Sequence, residues 1–110
     1  MKGYVPDKGD VVWLNFTPQA GHEQKGKRPA ITLSIKAYNE KTNLALFCPI
    51  TSKIKDYPFE VRIKTKKIDG VILSDQIKNL DWSIREIEYI GKADEEIISK
   101  TISNIKLMLG

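Results

Sequence analysis

Short runs of β-branched and aromatic residues, each ended by proline, glycine or a polar turn, fill the sequence as far as residue 91. Runs of this kind are typical of β-strands rather than helices. We predict strands at 10–16, 28–35, 44–50, 57–63, 71–73 and 82–91, and a turn at 39–43. After Asp94, apolar residues recur at helical spacing and predict an amphipathic C-terminal helix. The expected fold is mainly β with α (α+β), a small, partly closed antiparallel barrel.

The chain has 110 residues, a length that predicts a single domain over residues 1–110 with one hydrophobic core. Its apolar runs are only a few residues long, far short of the roughly 20 that cross a bilayer. Residues 1–7 lack the apolar stretch of a secretory signal. We therefore expect a cytoplasmic protein with no membrane partner.

One cysteine, Cys48, and one histidine, His22, limit the available chemistry. They exclude an internal disulfide and a Cys/His zinc site. No serine lies in a nucleophile-elbow pattern, and the acidic residues show no metal-ligand spacing. We expect any catalysis to use no metal, no cofactor and no protein nucleophile. RNA would suit this restriction because its own 2′-hydroxyl can attack the adjacent phosphate.

Positive charge is concentrated in the middle of the chain. Residues 20–67 contain eleven Lys or Arg against four acids, a net charge of +7, whereas the remainder carries −3. Clustered positive charge favours a polyanionic partner. Lysines that keep edge strands from aggregating give the same composition, so charge alone leaves both interpretations open.

A long loop at 17–27 separates the first two predicted strands, and loops of this length are often functional. Glu23 and Gly26 of this loop precede Arg28, whose planar guanidinium suits phosphate oxygens. A surface loop with solvated charges would have the same composition.

Two hydroxyls, Thr51 and Ser52, follow the third predicted strand beside Lys53 and Lys55. Hydroxyls next to lysines are placed to bind a phosphate group. Ordinary turn chemistry, in which Ser and Thr bond nearby backbone groups, explains them equally well.

Five motifs follow one another along essentially the whole chain: Gly9-Asp10-Val11-Val12-Trp13, residues 21–30, Pro49-Ile50-Thr51-Ser52, Tyr57-Pro58-Phe59-Glu60-Val61 and Ser74-Asp75-Gln76-Ile77-Lys78. In this order they resemble the MazF/PemK toxins of bacterial toxin-antitoxin systems. The Glu-Gln-x-Gly-x-Arg-Pro stretch at 23–29 is the specific part of the likeness.

The resemblance implies an SH3-like barrel of the CcdB/MazF type that forms a homodimer with RNA across its interface. It also implies a sequence-specific, metal-independent endoribonuclease that cuts single-stranded mRNA to 2′,3′-cyclic phosphate and 5′-hydroxyl ends and so inhibits translation and growth. The implied partners are a cognate acidic antitoxin and, only through the antitoxin complex, operator DNA.

The resemblance places the family's catalytic residues at Arg28, Thr51 and Glu23. Arg28 is expected to stabilise charge on the scissile phosphate, because its pKa is too high for a proton donor. Thr51 is expected to bond a non-bridging oxygen, whereas Glu23 either accepts the 2′-hydroxyl proton or orients Arg28. The candidates for RNA contacts are Lys27, Lys53, Lys55, Gln76 and Lys78. We interpret the aromatic residues Trp13 and Phe16 as core residues.

Two other functions fit the same barrel. CcdB-type gyrase poisons act through a C-terminal Trp-Gly-Ile, whereas this chain ends in Leu107-Met108-Leu109-Gly110, without the aromatic residue. An SH3-like peptide-binding module would explain the fold but not the basic loop.

Overall fold

The computed structural model describes residues 3–17 and 26–110. Within these ranges the strands are β1 (Asp10–Asn15), β2 (Lys27–Thr32), β3 (Leu44–Thr51), β4 (Glu60–Lys64), β5 (Asp69–Leu73), β6 (Lys78–Asp81) and β7 (Glu88–Lys92). The helices are α1 (Lys36–Thr42) and α2 (Glu95–Leu109), and short 3₁₀ turns span Ser74–Gln76 and Trp82–Ile84. None of the helices described is long and apolar enough to cross a membrane.

The central strand, β3, organises the sheet by changing partner along its length. Its first half pairs with β6, its middle with β2, and its last two residues with β5, always antiparallel. The strand order is β4-β5-β3-β2-β1-β7, with β6 joined to β3 beside this path. The sheet therefore curls into a half-barrel, and α2, the last element of the chain, packs against its core. This arrangement confirms the predicted mainly β fold with a C-terminal helix.

Apolar side chains fill the inside of the curled sheet in two clusters. The larger packs strands against α2 and includes Val11, Ile31, Cys48, Ile50, Val61, Ile63, Ile72 and Ile98. The smaller surrounds Phe47 and Trp82. The predicted stripe of α2 packs against the core as far as Ile105, but Leu109 is exposed. Each fully buried aliphatic side chain of this kind contributes about 1.5–3 kcal/mol to folding.

Three elements differ from the sequence predictions, and the first two lie before residue 82. The segment predicted as a turn at 39–43 contains most of α1, which ends at Asn43 in the left-handed conformation (φ 61°). Helical periodicity was hidden because the buried residue of α1 is the polar Asn39. The strand β6 was missed because its sequence, KNLD, is held by pairing with β3 and not by an apolar pattern.

The predicted strand at 82–91 is interrupted. A 3₁₀ turn occupies Trp82–Ile84, and the carboxylate of Asp81 accepts the Ser83 N–H at 2.9 Å to cap it. Glu86 then has a positive φ of 53°, so β7 begins only at Glu88. A polar cap and one left-handed residue therefore override the β-branched composition.

Asn39 ties the chain before β1 to α1 from a fully buried position. Its side-chain amide donates to the carbonyl oxygens of Pro6 at 2.8 Å and Ser34 at 3.0 Å, and its Oδ1 accepts the Ser34 hydroxyl at 2.6 Å. Because one side chain satisfies three buried or half-buried groups, its loss leaves several of them without a partner.

We expect Asn39→Ala to lower the free energy of unfolding by about 2–3 kcal/mol, the cost of leaving such groups unpaired. Urea unfolding followed by circular dichroism measures this change. Glu40→Ala, an exposed neighbour on the same helix, is the control and should change stability by less than about 0.5 kcal/mol. Equal unfolding midpoints for the two variants would contradict the assigned role of Asn39.

Candidate active site

A groove of about 700 Å³, here called the main groove, opens where β2 begins and β3 and β5 end. Its lining consists of Arg28, Thr51, Lys53, Lys55, Asp56, Tyr57, Pro58, Glu60, Leu73, Asp75 and Gln76. A smaller side groove of about 280 Å³ is lined by Phe16, Thr17, Gly26, Arg28, Pro49, Gln76 and Lys78. Arg28 and Gln76 belong to both, so the two grooves meet at these side chains.

Arg28 stands in β2 opposite Leu14 of β1 and is exposed at the meeting point of the grooves. Its guanidinium makes no hydrogen bond or ion pair with any residue in 3–17 or 26–110. Within the part of the chain that the structure describes, no residue occupies the donors of this guanidinium, and they are available to a ligand. An arginine in this state suits the oxygens of a phosphate group.

Thr51 is brought to Arg28 by strand pairing. Ala30 of β2 pairs with Pro49 of β3, and each site residue lies two positions beyond this pair. The Thr51 hydroxyl accepts the Lys53 N–H at 3.1 Å and donates no hydrogen bond within the described ranges. Its proton therefore has no partner among the described residues and can bond an oxygen in the main groove.

Gly70 of β5 lies against the backbone of Thr51 and so determines where Thr51 is placed. A side-chain Cβ at residue 70 would lie 2.2 Å from the Thr51 carbonyl oxygen and 2.9 Å from its carbonyl carbon. Contacts this short do not occur, so β3 approaches β5 closely only because residue 70 has no side chain. Arg62 adds a hydrogen bond to the Gly70 carbonyl at 2.7 Å and an ion pair to Asp69.

The connection from β3 to β4 carries Lys53 and Lys55, both exposed at the main groove. The carboxylate of Glu60, at the start of β4, accepts the Lys55 N–H at 3.1 Å and the Tyr57 N–H at 3.4 Å. Asp56 between them has a left-handed φ of 58°. Lys53 and Lys55 therefore lie on a loop whose backbone is stabilised by hydrogen bonds to the Glu60 carboxylate.

Tyr57 and Asp75 are among the residues of this groove that the sequence interpretation missed. The Tyr57 hydroxyl donates to Asp75 Oδ2 at 2.8 Å, and this hydrogen bond raises the pKa of the Tyr57 phenol. Both residues lie within the motifs that carried the family resemblance, and those motifs were the one signal that pointed to them.

The other predicted residues have different positions. Lys78 lines the side groove, whereas Lys27 lines neither groove and has its ammonium 4.0 Å from Glu86. Glu23 lies outside the described residues, as does His22. Trp13 is 37 % exposed on β1, so its prediction as a core residue was wrong. The other aromatic residue in that prediction, Phe16, packs partly against the smaller core cluster and also lines the side groove.

Among residues 3–17 and 26–110 there is no group of three or more His, Cys, Asp or Glu side chains placed to hold a metal ion.

Cys48 lies behind the site on β3, fully buried, and its thiol donates weakly to the Ser74 carbonyl at 3.9 Å. Burial raises the pKa of this thiol from 9.0 to about 12, and the negative charge of Asp75 acts in the same direction. The folded protein therefore holds the protonated thiol under conditions in which an unfolded chain would ionise it.

We expect Cys48 to resist an aromatic disulfide reagent at pH 8 in the folded protein and to react fully in guanidinium. Stability should also fall as the pH rises from about 9 towards 12, because the unfolded chain loses the thiol proton first. Guanidinium unfolding at a series of pH values measures this, with Cys48→Ala expected to show a weaker dependence. Equal labelling of folded and unfolded protein would contradict the burial of the thiol.

The fold and the two grooves define a small half-barrel protein with an arginine, a threonine and several lysines around a cleft whose side chains suit an anion. The chain belongs to the family of PemK-like, MazF-like toxins of type II toxin-antitoxin systems, which it matches over residues 7–109. This membership confirms the resemblance that the motifs suggested and does not favour the gyrase-binding alternative.

Individual relatives match along almost their full length. The chain is 41 % identical over 107 residues to the endoribonuclease toxin MazF of Escherichia coli K12, covering 97 % of this chain and 96 % of the relative. It is 30 % identical over 111 residues to the endoribonuclease EndoA of Bacillus subtilis, covering 96 % and 95 %.

Solved structures of related proteins agree with the fold. A crystal structure of MazF (Form-I) from Deinococcus radiodurans has a TM-score of 0.89 at 47 % identity and covers 98 % of this chain and 99 % of its own. A MazE-MazF crystal structure (Form-II) from the same organism has a TM-score of 0.87 at 40 % identity, with 98 % of each chain covered.

Proposed function

We propose that this chain is the toxin of a type II toxin-antitoxin system and acts as a sequence-specific, metal-independent endoribonuclease on single-stranded mRNA. The observation that carries this proposal is the meeting of Arg28 and Thr51 in one groove, with their hydrogen-bond donors unpaired among residues 3–17 and 26–110. Relatives named as endoribonucleases support the same activity.

In the proposed reaction, the 2′-oxygen of a ribose attacks the adjacent phosphorus and the bond from phosphorus to the 5′-oxygen breaks. The products are a 2′,3′-cyclic phosphate and a 5′-hydroxyl, with the 2′-hydroxyl proton lost and a proton gained by the leaving oxygen. Negative charge grows on the non-bridging oxygens of the phosphate. Arg28 stabilises this charge, and the Thr51 hydroxyl donates to one of these oxygens.

Glu23 has two proposed roles that lead to different tests. As a base it would accept the 2′-hydroxyl proton, and as an orienting group it would hold the Arg28 guanidinium by an ion pair. A rate that rises with pH through the carboxylate range in the wild type, and no longer does so in Glu23→Gln, would favour the base.

The lysines and Gln76 extend the proposed RNA contacts on both sides of Arg28. Lys53 and Lys55 lie along the main groove and Lys78 lies along the side groove, with Gln76 between them. A strand that passes Arg28 at the scissile phosphate would continue into both grooves. Lys27, beside Glu86, is assigned a supporting contact to the RNA backbone.

The proposed partners follow from the family. Residues 1–110 form one toxin domain that acts as a homodimer in the cytoplasm, where its mRNA substrate is translated. A cognate acidic antitoxin would neutralise it by occupying the cationic grooves, in keeping with the MazE-MazF structures of the Deinococcus radiodurans relative. Binding to operator DNA would occur only through the antitoxin complex.

The test is incubation of the purified protein with a long RNA in excess EDTA, followed by mapping of the cut ends. We expect cuts at one short recurring sequence, with 2′,3′-cyclic phosphate and 5′-hydroxyl ends. DNA of the same sequence should stay intact because it lacks the 2′-hydroxyl. Cleavage that needs added Mg²⁺, or that leaves 5′-phosphates, would refute the proposed mechanism.

A further inference from the structure

Tyr57 and Asp75 have no part in the proposed bond-breaking step, yet they line the main groove together with Arg28 and Thr51. They come from two separate segments, the loop after β3 and the 3₁₀ turn after β5, and meet through a hydrogen bond of 2.8 Å. This contact joins the two walls of the groove.

The ring of Tyr57 is a fixed and accessible surface. It is 47 % exposed, lies with its centroid 6.1 Å from that of the Phe59 ring, and is held at its hydroxyl by Asp75. Unpaired RNA bases stack on aromatic rings of this kind whatever their identity, because every base has a π-face. Tyr57 therefore offers affinity for a base without selecting which base it is.

The carboxylate of Asp75 has the chemistry needed to discriminate between RNA bases. Its Oδ2 accepts the Tyr57 hydroxyl, and its Oδ1 has no hydrogen-bond partner in the described part of the chain. A carboxylate repels phosphate and accepts hydrogen bonds only, so in a groove for nucleic acid it suits an N–H donor on a base edge. The Tyr57 phenol is protonated at neutral pH, because its ordinary pKa of 10.0 is raised further by the hydrogen bond to Asp75.

The backbone that carries Asp75 is held firmly. The N–H of the preceding Ser74 donates to the Phe59 carbonyl at 3.1 Å, and the Ser74 hydroxyl accepts the Asn104 amide of α2 at 3.2 Å. Selection by a single hydrogen bond requires this degree of positioning, since small displacements weaken the bond steeply.

We propose that Tyr57 and Asp75 form a base-reading subsite of the main groove, in which Tyr57 stacks on one unpaired base and Asp75 Oδ1 accepts an exocyclic amino N–H of that base. Adenine, cytosine and guanine carry such an amino group. Uracil has none, and its N3–H lies between two carbonyl oxygens that repel a carboxylate. The subsite therefore selects an amino-bearing base over uracil, an inference that rests on the proposed nuclease function.

The test compares the cut-site profiles of wild type, Asp75→Asn and Asp94→Asn on one long RNA in EDTA. Asp94→Asn is the matched control because Asp94 is exposed at the start of α2 and its side chain makes no cap hydrogen bond. At one position of the recognised sequence, we expect the wild type to prefer an amino-bearing base over uracil. In Asp75→Asn this preference should fall by about 10-fold, the value of one good base contact, and in Asp94→Asn it should not change.

Tyr57 variants separate stacking from selection. Tyr57→Phe keeps the ring and should cut the best sequence within a few-fold of wild type, with weaker discrimination because Oδ1 is less well oriented. Tyr57→Ala should weaken the binding of every sequence by about 10- to 100-fold. If a variant cuts too slowly to profile, fluorescence anisotropy with oligonucleotides that are 2′-deoxy at the cut site gives the same comparison of bases.

The possible results separate the two proposals. If the wild type cuts RNA and Asp75→Asn keeps the wild-type base preference in cutting or in binding, the proposed subsite is wrong. The proposed nuclease function is not affected by that result. A wild-type protein that cuts no RNA would overturn both.

Discussion

Replacing Arg28 with alanine is expected to lower the rate of RNA cleavage by about 10²–10³-fold, the loss seen when one preorganised donor to a developing oxyanion is removed. The guanidinium has no partner among residues 3–17 and 26–110, so its removal costs little stability and acts on the reaction itself. Single-turnover cleavage of a short RNA in EDTA measures the rate, and thermal unfolding verifies that the variant is folded.

Two further variants show whether charge or geometry matters at this position. Arg28→Lys keeps the positive charge but loses the planar fork, so its rate should lie between those of wild type and Arg28→Ala. Lys100→Ala removes one positive charge from an exposed position on α2 and should cut as wild type does. An Arg28→Ala protein that cuts within a few-fold of wild type would disprove the assignment of Arg28 to the phosphate.

Loss of the Thr51 hydroxyl is expected to have the second largest effect. In Thr51→Val the side chain keeps its shape but cannot donate, and a hydrogen bond to a charged oxygen contributes about 1.5–3 kcal/mol, so the rate should fall by about 10- to 150-fold. The Lys53 N–H also loses its acceptor, which was 3.1 Å away. The assay is the same single-turnover cleavage.

Conservative changes at and beside this position identify the group responsible. Thr51→Ser restores a hydroxyl and should recover most of the lost rate. Ser52→Ala removes the neighbouring, exposed hydroxyl and should leave cleavage nearly unchanged. A rate for Thr51→Val equal to that of wild type, or a large loss in Ser52→Ala, would move the role of hydrogen-bond donor away from Thr51.

The sequence was sufficient to predict most of the strands, among them β2 and β3, and the family resemblance placed Arg28 and Thr51 in one site. β-Branched and aromatic runs identify β2 and β3, and neighbouring antiparallel strands bring the start of one beside the end of the other. The family motifs then distinguish Arg28 and Thr51, among the residues at those ends, as the proposed catalytic pair. These inferences succeed because they depend on strand order and local composition.

Other features depend on side-chain geometry that no local pattern encodes. The contact of Tyr57 with Asp75 requires a particular path for the loop held by Glu60, and α1 buries a polar residue whose partners lie in other segments. The ammonium of Lys27 lies near Glu86, a residue remote in sequence, and not in a groove. Each of these outcomes is decided by tertiary contacts.

The glycine beneath Thr51 limits how this toxin can evolve. Glycine within a strand costs about 0.5–1 kcal/mol relative to alanine, so filling position 70 would usually make a strand more robust. Here a methyl group would occupy space within 2.2 Å of the Thr51 carbonyl oxygen and push β3 away from β5. Selection for heat tolerance therefore cannot raise the stability of the protein by replacing Gly70 with alanine. Conversely, substitutions of Gly70 that a cell tolerates should give toxins of lower activity. Such a substitution displaces Thr51, whose hydroxyl is proposed to contact the scissile phosphate.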